Sequence, residues 1–316
     1  MAYSTIADFG RLNTVTREDI VKSMIDQINE SSPTWASFLK NQVNGSGLQY
    51  EQPVKYSQTD QIEWYTGIET TSPHLETPWA RAIYPWKFAK LPMVLSNPEL
   101  AQNKGKNAVL DLKSETVTSA VNDFTDDMGD KIFDTAGTNE FGGLDDIINA
   151  TNTYAGINAS TYTWWGSDVD TVATLTLTAM GTLYNSAARG TEKTETPDCI
   201  TTTQTVWNIY EALLTPQIRY TNTGSADGGF GNLVFRSTPI KWDKHANSQE
   251  MYFINSKFMK LVTLKHPMYG KTVKGFAMSD FEKLQGQDGQ TAYLYFYGTP
   301  ICTSRRNQAR ASSVAA

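Results

Sequence analysis

The 316-residue sequence predicts an α+β protein, and two observations carry that prediction. Residues 16–30 and 107–136 repeat apolar residues at the three- and four-residue spacing of amphipathic helices. Much of residues 46–100 and 233–302 is instead rich in Thr, Tyr, Trp and Ile, with the partial alternation typical of strands. We therefore expect a long N-terminal arm, a long hairpin, one very long helix and a later group of strands.

The composition excludes several classes of protein. A content of 40% hydrophobic residues is enough for a sizeable core, which argues against global disorder. The net charge of −6 is opposite in sign to that of a dedicated nucleic-acid binder, so any contact with DNA should be local or passive. Cys199 and Cys302 are predicted to be free thiols of a reducing cytoplasm. No signal peptide and no membrane span is predicted, and the protein should stay soluble until it assembles.

The arm is predicted over residues 1–45. A first helix over residues 16–30 is capped by Thr16 and has an apolar stripe of Ile20, Val21, Met24, Ile25 and Ile28. A second short helix begins at Ser32-Pro33 and contains Trp35. Both helices precede any evident core, so we expect their apolar partner elsewhere on this subunit or on another.

The hairpin is predicted from "PVKYSQTDQIEWYTGIETT" and "TPWARAIYPWKFAKLPMVLS", with "SPHLE" between them as its tip. Isolated two-stranded hairpins are barely stable in water, so we expect this one to lie across another part of the assembly. The helix over residues 107–136 should end at Gly137 and contain about 28 residues, or about 42 Å. Its carboxylates at Asp123, Asp126 and Asp127 are expected to form a solvated face.

The remaining elements follow in order. Residues 168–189 are predicted to be a helix, with a strand as the alternative for "TLTLTAM". "PDCITTT" indicates a buried strand, and "TVWNIYEALL" indicates a helix. After the Gly-rich loop "GSADGGFGN" come the runs "LVFRSTPIKW", "EMYFINSKFMKLVTLK", "KGFAM" and "TAYLYFYGTPICT", all predicted strands. The tail "SRRNQARASSVAA" should be polar and mobile.

No enzyme, cofactor or metal chemistry is predicted. His74, His245 and His266 lack partners at metal-ligand spacing, and no catalytic or phosphate-loop motif occurs. His245 beside Asp243 could be half of a catalytic pair, but no nucleophile lies near them in sequence. The many aromatic residues could line the sugar groove of a carbohydrate-active enzyme, a reading that has no positive support.

The order of these features resembles that of the major capsid protein of tailed double-stranded DNA bacteriophages, which has the Hong Kong 97-type fold. The resemblance spans about residues 16–305 and centres on "GLDDIINA" followed by "YAGINASTYTWW". The positions that match the family pattern are Leu144, Ile147, Ile148, Gly156, Ile157, Asn158, Ser160, Trp164 and Trp165. Ala155 and Ala159 depart from the commonest form of that pattern.

This resemblance implies a division into an arm (1–45), an extended hairpin or E-loop (46–100), a P domain with the spine helix (101–165), an A domain (166–287), and a P-domain closing strand with tail (288–316). It implies self-assembly, as pentamers and hexamers, into an icosahedral virion shell around double-stranded DNA that is not strongly bound. It also implies assembly in the host cytoplasm, a separate scaffolding protein, a portal and sometimes a decoration protein. The alternatives are an encapsulin-like compartment subunit and a carbohydrate-active enzyme.

The candidates for subunit contacts are mostly aromatic residues of the arm and hairpin, because aromatic side chains dominate interface energetics. Basic residues of the hairpin are expected to pair with the acidic face of a neighbour's spine helix, and one of the two adjacent tryptophans should face the next domain or subunit. Arg305, Arg306 and Arg310 are a local exception to the acidic balance. The full set of interface candidates is Ile20, Met24, Trp35, Trp64, Tyr65, Trp79, Arg81, Tyr84, Trp86, Lys90, Asp123, Asp126, Trp164 and Trp165.

Overall fold

The computed structural model describes residues 32–58, 61–70, 74–103, 111–190, 192, 194–218, 233–269, 272–273 and 276–315. The helix predicted over residues 16–30, with Ile20 and Met24, lies outside the described residues. So does the Gly-rich loop 224–232.

Helices and strands are mixed along the described part of the chain, with most of the strands at the start and after residue 232. The α-helices are α1 (Pro33–Lys40), α2 (Asn97–Gln102), α3 (Leu112–Lys131), α4 (Leu144–Ile147), α5 (Leu177–Ala187) and α6 (Gln204–Ile218). Short 3-10 helices cover Thr163–Trp165, Ser256–Phe258 and Arg305–Asn307. The strands are β1 (Gln42–Asn44), β2 (Gln49–Lys55), β3 (Trp79–Pro85), β4 (Lys87–Ser96), β5 (Thr153–Tyr154), β6 (Ile157–Asn158), β7 (Asp168–Thr171), β8 (Cys199–Thr202), β9 (Leu233–Phe235), β10 (Thr238–Trp242), β11 (Met251–Ile254), β12 (Met259–Thr263), β13 (Thr272–Val273), β14 (Phe276–Met278), β15 (Glu282–Lys283), β16 (Gly289–Cys302) and β17 (Ala309–Ser312).

The first sheet is built around β16. This strand pairs antiparallel with β4, β12, β14 and β15, and β1 extends the sheet in parallel beside β12. Ala292, Leu294 and Phe296 of β16 are buried in the first hydrophobic core, because alternate residues of a strand point to opposite faces. The spine helix α3 contributes to the same core through Phe124, whose ring stacks on Phe276 with centroids 4.6 Å apart.

The spine helix is shorter than the sequence predicts. It contains the 20 residues Leu112–Lys131 after a cap at Asp111, and residues 107–110 lie outside the described part of the chain. The helix ends before Gly137 because Ile132 and Phe133 are buried in the core, and the Ile132 carbonyl accepts the N–H of Leu144 at 2.7 Å. The apolar stripe therefore continues beyond the end of the helix itself.

The hairpin is also shorter than predicted. Only β2 and β3 pair with each other, from Gln49 opposite Pro85 to Lys55 opposite Trp79. Residues 87–96, assigned to the second strand of the hairpin, form β4 and belong to the first sheet, where Lys87 lies opposite Gly298. The switch occurs at Trp86, which is buried. The alternation of residues could not predict where the chain leaves the hairpin, because the strand-like pattern continues on both sides of Trp86.

The second sheet has the order β7-β17-β11-β8-β10-β9, and α5 packs against β7, β11 and β17. Part of the stretch predicted as a helix over residues 168–189 is strand β7, and α5 begins only after its cap at Thr176. The tail is not a mobile polar segment: β17 lies inside this sheet, and the N–H of Val314 donates to Gln249 O at 2.8 Å.

Strand β11 joins the two hydrophobic cores. All four of its residues are buried. Tyr252 and Ile254 lie in the core beneath the first sheet, whereas Met251 and Phe253 lie in the core of the second sheet. Since side chains of a strand alternate between its two faces, this strand separates the cores and contributes to both.

Candidate subunit-interface surfaces

The far end of the hairpin exposes large apolar side chains. We call residues 61–70 and 74–79 the hairpin tip. Trp64 is 96% exposed and Leu75 is 93% exposed. The other exposed members are Ile62, Tyr65, Ile68 and Trp79. A soluble monomer rarely exposes so many large apolar side chains in one segment, so this tip has the character of a protein–protein contact.

The base of the hairpin, in contrast, is fixed to the chain's own core. The Tyr84 hydroxyl donates to Cys302 O at 2.7 Å, and the N–H of Ile83 donates to Ala155 O at 2.9 Å. The Trp86 indole N–H donates to Gly47 O at 2.9 Å. Burial raises the pKa of Tyr84 well above its ordinary value. The base is therefore a rigid support for an exposed tip.

The two adjacent tryptophans have different environments. They lie on the 3-10 helix Thr163–Trp165, where neighbouring side chains point in different directions. Trp165 is buried and donates its indole N–H to Tyr154 O at 3.0 Å. Trp164 is half-buried and stacks on Tyr56 of the hairpin, with ring centroids 5.2 Å apart. One indole thus belongs to the core, and its neighbour supports the hairpin of the same chain.

The acidic side of the spine helix is only partly solvated. His245 Nε2 lies 3.3 Å from Asp126 Oδ1, and His245 Nδ1 contacts Asp130 Oδ1. Burial, together with the negative charges of neighbouring carboxylates such as Asp130, raises the pKa of Asp127 above its ordinary value. Asp123 is exposed. Sequence reasoning did not predict that His245 lies here, because it comes more than a hundred positions after these carboxylates.

Burial divides the predicted interface residues. Trp35, Tyr84, Trp86 and Trp165 are buried in the first hydrophobic core of the described chain, so each side chain is already covered by its own subunit. Arg81 is exposed but already contacts Glu51 of its own hairpin, at 3.1 Å. Trp164 and Asp126 are half-buried and have the partners described above. The exposed candidates, for which subunit contacts remain a prediction, are Trp64, Tyr65, Trp79, Arg81, Lys90 and Asp123.

Two charged residues of the tail have structural roles that sequence reasoning missed. Arg310 contacts both Asp145 and Glu250, and the Tyr252 hydroxyl donates to Asp145 at 2.7 Å. Burial and the nearby negative charge of Asp145 raise the pKa of Glu250. Arg305 is buried beside Trp165. The sequence feature that could have indicated these roles is the group of three arginines in an otherwise featureless tail.

The described residues contain little that suggests catalysis. No group of three or more His, Cys, Asp or Glu within the described ranges could hold a metal ion. Burial raises the pKa of the Cys302 thiol to about 12, which makes it a poor nucleophile at neutral pH. Among the helices of the described chain, none is long and apolar enough to span a bilayer.

Comparisons with known proteins identify similar structures but no similar sequences. No protein-family model matches the chain, and no curated protein sequence matches it. The capsid of cyanophage A-1(L) is similar with a TM-score of 0.76 at 14% identity, covering 95% of this chain and 98% of the other. The capsid of a native GTA particle has a TM-score of 0.67 at 11% identity over 100% of both chains. The holo-SrpI encapsulin complex of Synechococcus elongatus PCC 7942 has a TM-score of 0.63 at 9% identity, covering 99% and 96%.

These similarities extend over nearly the whole chain. The protein therefore has the Hong Kong 97-type α+β fold of phage capsid subunits, and the fold prediction is confirmed.

Proposed function

We propose that this protein is the major capsid protein of a tailed double-stranded DNA phage and assembles into an icosahedral shell. The observation that carries the proposal is the hairpin tip, an exposed apolar segment on a rigid base in a chain with a capsid fold. Large apolar side chains at 90% exposure or more gain about 25 cal/mol per Å² when a neighbouring subunit covers them. Assembly is the simplest way to bury this surface.

The contacts of such a shell are numerous and individually weak. Trp64, Tyr65 and Trp79 would supply aromatic burial, which dominates interface energetics. Arg81 and Lys90 would face acidic residues of a neighbour such as Asp123, at about 0–1 kcal/mol per exposed pair, and would set register more than strength. Closed symmetry with pentamers and hexamers repeats each contact around the shell.

The predicted organisation belongs to the same proposal. Residues 46–100 would act as the E-loop, residues 101–165 and 288–316 as parts of a P domain, and residues 166–287 as an A domain. The two hydrophobic cores support a division of this kind, but β17 lies in the second sheet, so the end of the chain would contribute to the A domain. The proposal also includes a non-enzymatic role and a location in the virion. Its expected partners are a separate scaffolding protein, a portal and a decoration protein.

A compartment of the encapsulin type is the second candidate. One observation favours it: the similarity to the Synechococcus elongatus encapsulin complex covers 99% of this chain. Its TM-score of 0.63 is lower than the 0.76 of the cyanophage capsid, so the phage shell is the preferred function. Double-stranded DNA inside shells isolated from the producing cells would support the capsid, and a packaged protein would support the compartment.

Electron microscopy of the purified full chain tests whether it forms shells at all. We expect closed shells or capsomer rings, because large apolar side chains of the hairpin tip are exposed on the subunit. A monodisperse monomer of 35.1 kDa that hydrolyses glycosidic bonds would contradict both shell functions and support the carbohydrate-active enzyme.

A further inference from the structure

A positively charged cavity lies where the end of β2, the paired tryptophans and residues 303–306 meet. Its volume is about 80 Å³. Lys55, Arg305 and Arg306 line it, and among the described residues no carboxylate side chain does. The three cations come from two separate parts of the chain that converge on Trp164 and Trp165. Positive charges around a small space repel one another, and an anion placed between them would reduce that repulsion.

Arg305 is the clearest sign of this incompleteness. Its side chain is 1% exposed, and its Nε donates to Ile147 O at 2.7 Å. Its Nη2 donates to Asn149 O at 2.8 Å and to Asn152 Oδ1 at 2.7 Å. Nη1 is buried and has no hydrogen-bond partner within the described residues. Burial lowers the pKa of Arg305, and an unpaired donor of a buried cation is costly.

The cationic side chains that line the cavity are not paired with carboxylates in the way that Arg310 is. Arg306 is exposed, and its carbonyl accepts a hydrogen bond from Arg189 Nη2 at 3.2 Å. Burial and the positive charge of Arg306 lower the pKa of Arg189, against the opposing effect of Asp168. Arg310, a few positions later, contacts two carboxylates. The excess of positive charge is therefore local to the cavity.

We propose that this cavity binds a phosphate oxyanion, either free phosphate or a backbone phosphate of nucleic acid. The volume of about 80 Å³ is several times what one water needs and leaves room for one tetrahedral oxyanion. Guanidinium groups match phosphate oxygens in geometry and charge, and Arg305, which lines the cavity, has one donor without an acceptor. A bound oxyanion would also link Lys55 of the hairpin to Arg305 and Arg306 of the body.

Thermal unfolding of the unassembled full chain tests the site. Inorganic phosphate at about ten times its dissociation constant should raise the midpoint by about 2–3 °C over chloride of equal ionic strength. Lys55→Gln and Arg306→Gln remove exposed charges and spare the core, and each should abolish most of this shift. Lys283→Gln, at an exposed lysine of β15 outside the cavity, should leave it unchanged.

Two results would overturn the proposal: a native chain whose midpoint shifts with neither inorganic phosphate nor a DNA duplex, or an equal shift in Arg306→Gln. A short DNA duplex, added at low salt in place of phosphate, distinguishes the sources. A duplex-induced shift that Arg306→Gln loses identifies a backbone phosphate as the ligand. A shift with phosphate alone identifies the free anion, and both of these outcomes support the site.

Discussion

Tyr56, the residue after β2 at the tip side of the paired strands, stacks on Trp164, with ring centroids 5.2 Å apart and an interplanar angle of 24°. The next residue, Trp165, is buried in the first core and hydrogen-bonded to Tyr154. Because the two indoles are adjacent, the position of the core tryptophan sets the position of the one that contacts the hairpin. The direction of the hairpin is thus fixed within its own subunit.

Trp164→Ala should loosen the hairpin without unfolding the chain. An aromatic pair is worth about 0.5–1.5 kcal/mol beyond its buried area, so we expect a small loss of stability in urea and faster proteolysis between residues 56 and 78. Trp242→Ala, at a half-exposed tryptophan in the second sheet, is the matched control. Equal acceleration of hairpin cleavage in both variants would show that Trp164 does not hold the hairpin.

Trp64→Ser should prevent shell formation and leave the subunit intact. Trp64 is 96% exposed and makes no contribution to either hydrophobic core, so the free energy of unfolding measured in urea should change by less than about 0.5 kcal/mol. Shell yield measured by sedimentation should fall, because a central aromatic contact is typically worth about 2 kcal/mol or more.

Met268→Ser is the matched control for that substitution. Met268 is also a large apolar residue, 78% exposed, but it lies on the loop after β12 and not on the hairpin. We expect normal shells from Met268→Ser. If both variants assemble as well as the native chain, the hairpin tip is not a subunit contact.

Phe124→Ala should destabilise the subunit strongly. Phe124 is buried on the spine helix and stacks on Phe276 of the first sheet, so the substitution creates a cavity between helix and sheet. Core Phe→Ala substitutions cost about 3–5 kcal/mol, which chemical denaturation would measure. Thr118→Ala, at an exposed position of the same helix, should cost little. Similar midpoints for the two variants would contradict the assigned inner face.

Sequence reasoning located the elements whose signal is local. The stripe through Val121, Phe124 and Met128 predicted the spine helix and its inner face, and all three residues are buried. The signal failed where distant pairing decides the structure. The end of the helix depends on Leu144 binding the Ile132 carbonyl, and no local pattern records that contact.

The interface candidates show the same limit at the level of single residues. Trp64 and Trp86 both lie in aromatic strand-like segments, yet one is 96% exposed and the other 8%. The difference arises because β4 leaves the hairpin and joins β16, a pairing made across about two hundred residues. Composition identified which residue types form contacts, and only the fold determined which of them are available.

Asp127→Asn should change how stability depends on pH. The folded chain raises the pKa of Asp127 above 3.8, mainly through burial, so it holds this proton to higher pH than the unfolded chain does. As the pH rises through that window, the unfolded state ionises first and the native stability falls. The variant should therefore gain stability relative to the native chain between pH 3.8 and neutrality. Urea midpoints across that range measure the gain, and Glu282→Gln on an exposed edge strand is the control.

Deletion of residues 1–31 should separate folding from assembly. Ser32 remains in the truncated chain, and its hydroxyl donates to the buried carboxylate of Asp243 at 2.7 Å, while the N–H of Thr34 donates to the same oxygen at 3.2 Å. Helix α1 should stay docked through this cap and through Trp35, whose ring packs edge-on against Phe296. We expect native-like circular dichroism and an unchanged unfolding midpoint, together with loss of shells, because the apolar stripe with Ile20 and Met24 is removed.

Deletion to residue 34 is the comparison, since it also removes Ser32 and Thr34 and should destabilise the subunit by about 1–3 kcal/mol. Shells from the shorter deletion at normal yield would show that the first 31 residues are not needed for subunit contacts.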